Sequence, residues 1–496
     1  MAIRTAYAGY PDAFIYGDDG KKKRQHLLWG DWVSVLEECV EHGQKWCYVH
    51  ARGVDGWMRA EHLQTERLLE IVFVDIGQGD GCLIVTPQDR HMVIDAGEGD
   101  NMYRFLRWRY AGFKKRWKFE AAVLSHPDSD HYRGFEPLFQ EPNVSFGTVY
   151  HNGIVEQTGK RSGSLGPRSP KRGRPTYLTR VIQTKQELRS FLSVASRWKK
   201  KTYPTMLASA LASGRVDDVR MLSTTDGFMP GYADRRINGK TFTLQVLGPV
   251  IEPDANGKAR LRWFGGVGKT KNGHSVVLRL RYGKVSMLVG GDLNIPSEDL
   301  LLSHHTGLSA RPRTADEERR LVEAAKATFR ADIAKACHHG SADFTETYLK
   351  AVDPIATIVS SGDDEPHAHP RADALGAFGR AGRGVRPLIF STELARSAKE
   401  IIKHPNALRQ TVKDLRKTIA KPKTEADKRK AEKKLKKILD KVLNRSIAVY
   451  GAINVRTDGD RVVLAQRLER PRSGAKWDTY RLERDGSGPL YYVSKH

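Results

Sequence analysis

The segment Ser125-His126-Pro127-Asp128-Ser129-Asp130-His131 constrains this chain more than any other. It places four metal-capable side chains, His126, Asp128, Asp130 and His131, within six residues. It follows directly on the apolar run Ala121-Ala122-Val123-Leu124, which predicts a short strand. Divalent cations need several oxygen or imidazole donors converging on a small volume. A tight loop at a strand end aims side chains together in this way. A lone histidine is more often structural, but four donors at this spacing point to metal binding.

The rest of the chain divides into blocks. Residues 1–68 carry short alternating apolar runs such as Ala13-Phe14-Ile15-Tyr16 and Trp46-Cys47-Tyr48-Val49, separated by Gly or charged turns. They predict a small β module. Trp29, Trp32, Trp46 and Trp57 would fill its core, or the module would bind a partner. Residues 69–135 read as strand, strand, helix, strand, with residues 82–86 and 91–95 pairing as a hairpin. Residues 158–175 are rich in Gly, Ser, Pro, Lys and Arg and predict a basic loop. Residues 178–215 predict helix, with a basic face that includes Lys199, Lys200 and Lys201. Strands are expected near residues 241–247, 275–280, 285–289, 332–337 and 355–360, with a helix near 314–329. Residues 403–445 predict a basic helical tract, with Leu435, Ile438, Leu439, Val442 and Leu443 on one face. Its Lys433, Lys434, Lys436 and Lys437 would grip phosphates, or would be a solvated face. The tail 447–496 returns to β character, beginning Ile447-Ala448-Val449-Tyr450.

Composition bounds the function classes. The chain has 496 residues, is 39% hydrophobic and has a formal net charge of +25. That excess favours a polyanionic partner, nucleic acid above all. No apolar run approaches the ~18 residues of a membrane span. The opening residues Met1-Ala2-Ile3-Arg4 lack an apolar leader, so a cytoplasmic location is expected. The four cysteines, Cys39, Cys47, Cys82 and Cys337, form no CxxC pair and read as reduced thiols. Metal donors must therefore be His and carboxylate.

The segment 126–131 resembles the signature of the metallo-β-lactamase superfamily, in the variant where Asp replaces the second His. The chain is more specifically similar to the hydrolase domain of the DNA-uptake channel protein ComEC and its soluble relatives. Further segments agree in order: Asp75-Ile76-Gly77-Gln78-Gly79-Asp80-Gly81, Asp95-Ala96-Gly97, Ser275-Val276-Val277-Leu278, Gly291-Asp292-Leu293, Cys337-His338-His339-Gly340-Ser341 and His369-Pro370. They lie within residues 70–395. In the first block, Gly56-Trp57-Met58 and the short run after it resemble the closing strand of bacterial SH3-like domains.

The resemblance implies an α/β (α+β) architecture: a four-layer αββα metallo-β-lactamase fold preceded by a small all-β SH3-like barrel. The implied domains are an SH3-like module (1–68), the hydrolase domain (69–400), a basic helical insertion or hairpin (401–446) and a C-terminal β segment completing the hydrolase domain (447–496). Two divalent metal ions, Zn²⁺ or Mn²⁺, are implied as cofactors. His126 and Asp128 would hold one ion; Asp130 and His131 would hold the other. Asp292 would bridge them. His338 or His339 would complete the second ion's set, with His338 preferred because it follows a strand directly. Asp95 would orient the metal loop from behind, and Asp130 would also align the attacking water.

Several positions stay open between two roles. His151 and His274 each read as a further ligand, a substrate contact or a plain surface histidine. Ser341 reads as a further ligand or substrate contact. His367 and His369 read as a proton donor to a leaving oxygen or as a polar loop. The expected function is a two-metal hydrolase, foremost a nuclease or phosphodiesterase acting on DNA or RNA. The alternatives are a hydrolase of another ester, of phosphocholine esterase or lactonase type, and a nucleic-acid-binding module with a structural metal. A protein partner for the N-terminal module is a further expectation, and no membrane association is expected.

Overall fold

A computed structural model describes residues 4–159, 161–169, 175–362, 367–393, 405–443 and 451–495. The tail's opening residues 447–450, and residues 160 and 170–174 of the basic loop, lie outside these. So do the side chains of Leu439, Val442 and Leu443 on the basic tract. Among the described residues, no helix is long and apolar enough to cross a membrane.

Residues 4–64 form a seven-stranded antiparallel sheet. Its strands run in the order Lys23–Leu28, Asp12–Tyr16, Val54–Arg59, Gln44–Ala51, Trp32–Glu41, Arg4–Ala8, Leu63–Gln64. The two end strands do not pair with each other, so the sheet is open rather than the expected closed barrel. The tryptophans do not fill it either. Its core is small and aliphatic, built from residues such as Ala6, Ile15, Val33, Val49 and Met58. Trp29 is buried outside that core, against Leu68, Val463 and Trp477. Trp46 and Trp57 are half-buried, and Trp32 is 50% exposed.

The body is built on two further sheets. The first has ten strands, in the order Val216–Met221, Val144–His151, Trp117–Leu124, His91–Ala96, Gly81–Val85, Leu69–Phe73, Ile453–Thr457, Val462–Arg472, Ala475–Arg484, Leu490–Val493. The first four of these are parallel, and the tail strands extend the sheet antiparallel to Leu69–Phe73. The second has seven strands: Arg235–Ile237, Lys240–Gly248, Val277–Tyr282, Val285–Val289, Ile333–Lys335, Ala356–Val359, Leu388–Ser391. Its last four are parallel.

Strand alternation explains the layering. One face of each sheet, including Ile71, Ile84, Val123, Leu244, Leu278 and Met287, forms a shared core between the sheets. The opposite face of the first sheet, including Val72, Leu83 and Ala122, packs on helices that contribute Met102, Leu138, Leu188 and Leu207. The outer face of the second packs on helices that contribute Leu301, Leu321, Phe329 and Tyr348. The order is therefore helices, sheet, sheet, helices, a mixed α/β architecture. Both parallel groups present C-terminal strand ends, where α/β sheets place their ligand sites. The predicted helix near 314–329 is Ala315–Phe329. The 178–215 segment is instead two helices, Lys185–Leu192 and Thr202–Ala212, and Lys199–Lys201 lie in the link between them.

Candidate metal centre

Five strand ends supply the site. The strand His91–Ala96 carries Asp95 as its penultimate residue, and Trp117–Leu124 runs into Ser125 and His126. In the facing sheet, Val285–Val289 leads to Asp292, Ile333–Lys335 to His338 and His339, and Ala356–Val359 to Ser360. Two glycines let these ends approach. A Cβ on Gly79 would fall 1.6 Å from the Asp130 carbonyl oxygen, and one on Gly291 would fall 2.7 Å from both the Ser125 and Ser275 hydroxyls. Neither position can carry a side chain while the loops stay this close.

Asp130, His131, Asp292 and His339 converge so that one donor atom from each lies within 4.8 Å of all the others. His131 Nε2 is 3.2 Å from Asp292 Oδ1. His339 Nε2 is 3.3 Å from Asp292 Oδ2 and 3.6 Å from Asp130 Oδ2. The far side of each ring is held by the protein. His131 Nδ1 donates to Asp95 Oδ2 at 2.8 Å, and His339 Nδ1 donates to the Ser360 carbonyl at 3.1 Å. Asp95 Oδ1 also accepts from the Ser125 backbone N–H at 2.7 Å. Asp95 does this from φ +53°, a strained conformation for a non-glycine residue. It thus fixes both the start of the loop and the ring that follows.

His126 and Asp128 form a second, neighbouring half. His126 Nε2 lies 3.6 Å from Asp128 Oδ2, and its Nδ1 faces the Ser125 and Ser275 hydroxyls at 3.1 and 3.2 Å. All three rings therefore share one pattern. Nδ1 is engaged, while the buried Nε2 of His126, His131 and His339 makes no hydrogen bond. Asp292 Oδ1 is likewise buried and unsatisfied. Buried polar atoms are almost always satisfied. Orphaned imidazole nitrogens aimed at carboxylates are what a bound cation would satisfy, with protein groups fixing each ring from behind. The residues fit a divalent ion.

The electrostatics agree. Burial opposes ionisation of Asp292, yet His131 and His339 hold it well below the usual carboxylate range. Burial opposes charge on the two rings as well. Asp292, Asp95 and Asp130 nonetheless raise His131, and Asp292 and Asp80 raise His339, well above the ordinary imidazole value. In the metal-free protein, protons therefore stand in for cation charge.

Two lysines that sequence reasoning missed complete the charge balance. Lys335, 4% exposed, ion-pairs with Asp80, whose other oxygen lies 3.2 Å from His339 Nδ1. Lys271 ion-pairs with Asp128, contacts the Pro127 carbonyl at 3.4 Å and lies 3.5 Å from Glu156. A signal existed for Lys335: a lysine inside the apolar run Ile333-Ala334-Lys335-Ala336 is a buried charge that demands a partner. None existed for Lys271, whose partner is 143 residues away.

The other candidate residues fall elsewhere. His338 was the preferred ligand, but His339 occupies the donor group. Both residues sit at positive φ in the short turn Cys337–Gly340, which swings His339 inward and leaves His338 Nε2 3.8 Å from Asp292 with its side chain 25% exposed. His151 is fully buried, its Nδ1 accepts from the Gly153 N–H, and burial lowers its pKa to about 4. His274 stacks on Phe264, with its Nε2 2.7 Å from the Arg262 carbonyl, and burial lowers it to about 4. Neither joins a donor group, and neither is a surface histidine. His369 lies 5.5 Å from the His338 ring and stacks with His367. These two, with Ser341, Lys269 and Arg371, line a cavity of about 520 Å³ beside the donors. Lys199, Lys200, Lys433, Lys434, Lys436 and Lys437 are exposed, and Lys201 is half-buried.

Solved structures similar to the chain include two metallo-hydrolases. One is Tm1679, a metal-dependent hydrolase of the β-lactamase superfamily, at 14% identity and a TM-score of 0.30, over 65% of this chain and 95% of that one. The other is MEM-A1, a subclass B3 metallo-β-lactamase isolated from a soil metagenome library, at 13% identity and a TM-score of 0.24, over 54% of this chain and 81% of that one. No family model and no curated protein matches the chain.

Proposed function

We propose that this chain is a metal-dependent hydrolase of the metallo-β-lactamase superfamily, of ComEC-like type, that cleaves phosphodiester bonds in DNA or RNA. The observation that carries the reading is the convergence of Asp130, His131, Asp292 and His339 with their imidazole Nε2 atoms unsatisfied. The net charge of +25 and the Lys269–Arg371 rim of the adjoining cavity support a polyanionic substrate. The open N-terminal sheet is read as an SH3-like relative that meets a partner.

Zn²⁺ or Mn²⁺ bound here would supply an activated water and stabilise charge on phosphate oxygens. Asp130, His131, Asp292 and His339 would hold one ion; His126 and Asp128, with Asp292, would hold a second. Asp95 and Ser360 fix the His131 and His339 rings through Nδ1, which leaves each Nε2 free to serve as a ligand. Lys335 neutralises Asp80, which would otherwise add a buried negative charge behind His339. His369 and His367, in the cavity lining, would give a proton to the leaving oxygen. Lys269 and Arg371 would hold the flanking phosphate.

The test is incubation of labelled single- and double-stranded DNA and RNA with Mn²⁺ or Zn²⁺, for wild type and Asp130→Ala. Cleavage by wild type alone is expected. Cleavage by neither protein, or by both equally, contradicts the reading; turnover of only a small phosphocholine or lactone substrate would move it to the non-nucleic-acid ester class.

A further inference from the structure

A second cavity, of about 670 Å³, lies where the N-terminal sheet meets the first sheet of the body and its tail strands. That volume is within the range of about 300–1,000 Å³ typical of small-molecule sites. Its lining comes from three distant stretches of chain, including Trp32, Arg52, Trp108, Arg467, Lys476 and Trp477. None of these belongs to the metal centre.

Basic side chains outnumber acidic ones in the cavity lining. Six arginine and lysine side chains line it against three carboxylates, Asp31, Glu70 and Asp89. The carboxylates are committed to structural pairs. Asp31 binds Arg52 at 2.6 Å, Glu70 binds Arg109 at 2.6 Å and Arg456 at 2.8 Å, and Asp89 binds Arg67 at 2.5 Å. Arg456 is 3% exposed, and its Nε is left without a hydrogen-bond partner. Lys476 shows the same excess: burial, then Arg467 and Arg52, all push its pKa below the ordinary lysine value. Lys476 Nζ also donates to Gln25 Oε1 at 2.5 Å, a neutral partner that leaves its charge in place. Like charges crowded around a cavity are a ready anion site.

The aromatic lining points to the rest of the ligand. Trp32 is 50% exposed and Trp108 is 36% exposed, although both are among the largest apolar side chains in the protein. Trp477 forms the opposite kind of surface, nearly buried beneath the Arg52 guanidinium at 5.5 Å. Exposed indoles beside an excess of basic side chains are the combination that binds bases by stacking and phosphates by charge.

We propose that this interdomain cleft binds a nucleoside phosphate, with the base on Trp32 or Trp108 and the phosphate against Lys476 and Arg467. The ligand is either a free nucleotide or the phosphorylated end of a strand, since the two share this chemistry. The site is independent of the metal centre and stands whether or not the chain is a nuclease.

The experiment is calorimetric titration of the full chain in EDTA, which removes any metal-dependent binding. The probes are AMP, a 5′-phosphorylated ten-residue oligothymidine, and inorganic pyrophosphate. AMP or the oligonucleotide should bind, and Trp32→Ala or Trp108→Ala should weaken that binding by roughly tenfold. Lys476→Glu should abolish it, and Trp32→Phe should retain most of it. Tighter binding of the oligonucleotide than of AMP assigns the site to strand ends; the reverse assigns it to free nucleotide. Thermal melting of each variant confirms folding, and Arg467→Glu replaces Lys476→Glu if the latter melts early. No binding by any probe overturns the proposal. So does binding that all of these folded variants retain, or pyrophosphate binding as tightly as AMP and unchanged by both Trp→Ala substitutions.

Discussion

The two halves of the metal centre are built from the same residue types but balanced differently. In the half formed by Asp130, His131, Asp292 and His339, carboxylates and rings face one another with no lysine among the four converging donors. In the half formed by His126 and Asp128, a lysine already neutralises the carboxylate, because Lys271 pairs with Asp128. A buried carboxylate must be compensated. The first half leaves that task to protons or a metal ion, and the second has a resident ammonium. The two halves should therefore hold metal with unequal affinity, the first tightly and the second weakly.

Removing the shared carboxylate should break the comparison altogether. Asp292→Ala takes the carboxylate oxygens nearest the Nε2 atoms of both His131 and His339. Metal content after dialysis and turnover should both fall by more than the roughly 100-fold that outer partners of a metal ligand carry. Asp95→Asn acts from behind the same half. It leaves all four donors in place but weakens the hold on the His131 ring, so affinity for the tight ion should fall by about 10–100-fold. A competition titration against a chelator reads both.

Lys271→Met sharpens the comparison from the other side. It removes the ammonium from Asp128 without shortening the side chain greatly, so the second ion should bind on the order of tenfold more tightly. The tight ion should change little. If both ions tighten equally, Lys271 does not set the difference between the halves.

The effect of pH acts on the tight half, and its sign follows from the raised rings. In the metal-free protein, His131 and His339 bind protons well above the ordinary imidazole range. An incoming ion must displace them, so affinity of the tight half should rise with pH by up to about tenfold per unit for each proton released. Stability of the metal-free protein runs the other way. A ring whose folded pKa is raised contributes stability fully present below its unfolded value, and loses it as pH rises through the folded one. Asp292, held low, contributes above the ordinary carboxylate range and loses its share as pH falls through the folded value. Urea denaturation of apo protein across pH checks both signs.

What could be read in the chain beforehand follows the same division between local and distant partners. The loop 126–131 was legible because its donors are sequence neighbours at a strand end. Asp292 and the His338–His339 pair were legible as short segments, but the choice between the two rings was not. It depends on two consecutive left-handed residues in the turn Cys337–Gly340. The roles of Lys271 and Asp80 are not legible locally, because they exist only through partners 143 and 255 residues away. The N-terminal strands announced themselves by alternation. Closure into a barrel did not, since it rests on edge pairing that alternation does not encode. Trp29 likewise read as core filling for that module, whereas its packing partners include Val463 and Trp477 from the tail.

The central claim is that the buried Nε2 atoms of His131 and His339, with Asp130 and Asp292, form a cation site. The most direct measurement is metal content by mass spectrometry after metal loading and dialysis, for wild type, His339→Ala and Lys271→Met. Wild type should retain close to one tightly held divalent ion per chain, His339→Ala almost none, and Lys271→Met more than wild type. Wild type that retains no divalent ion, or His339→Ala that retains as much as wild type, would contradict the account.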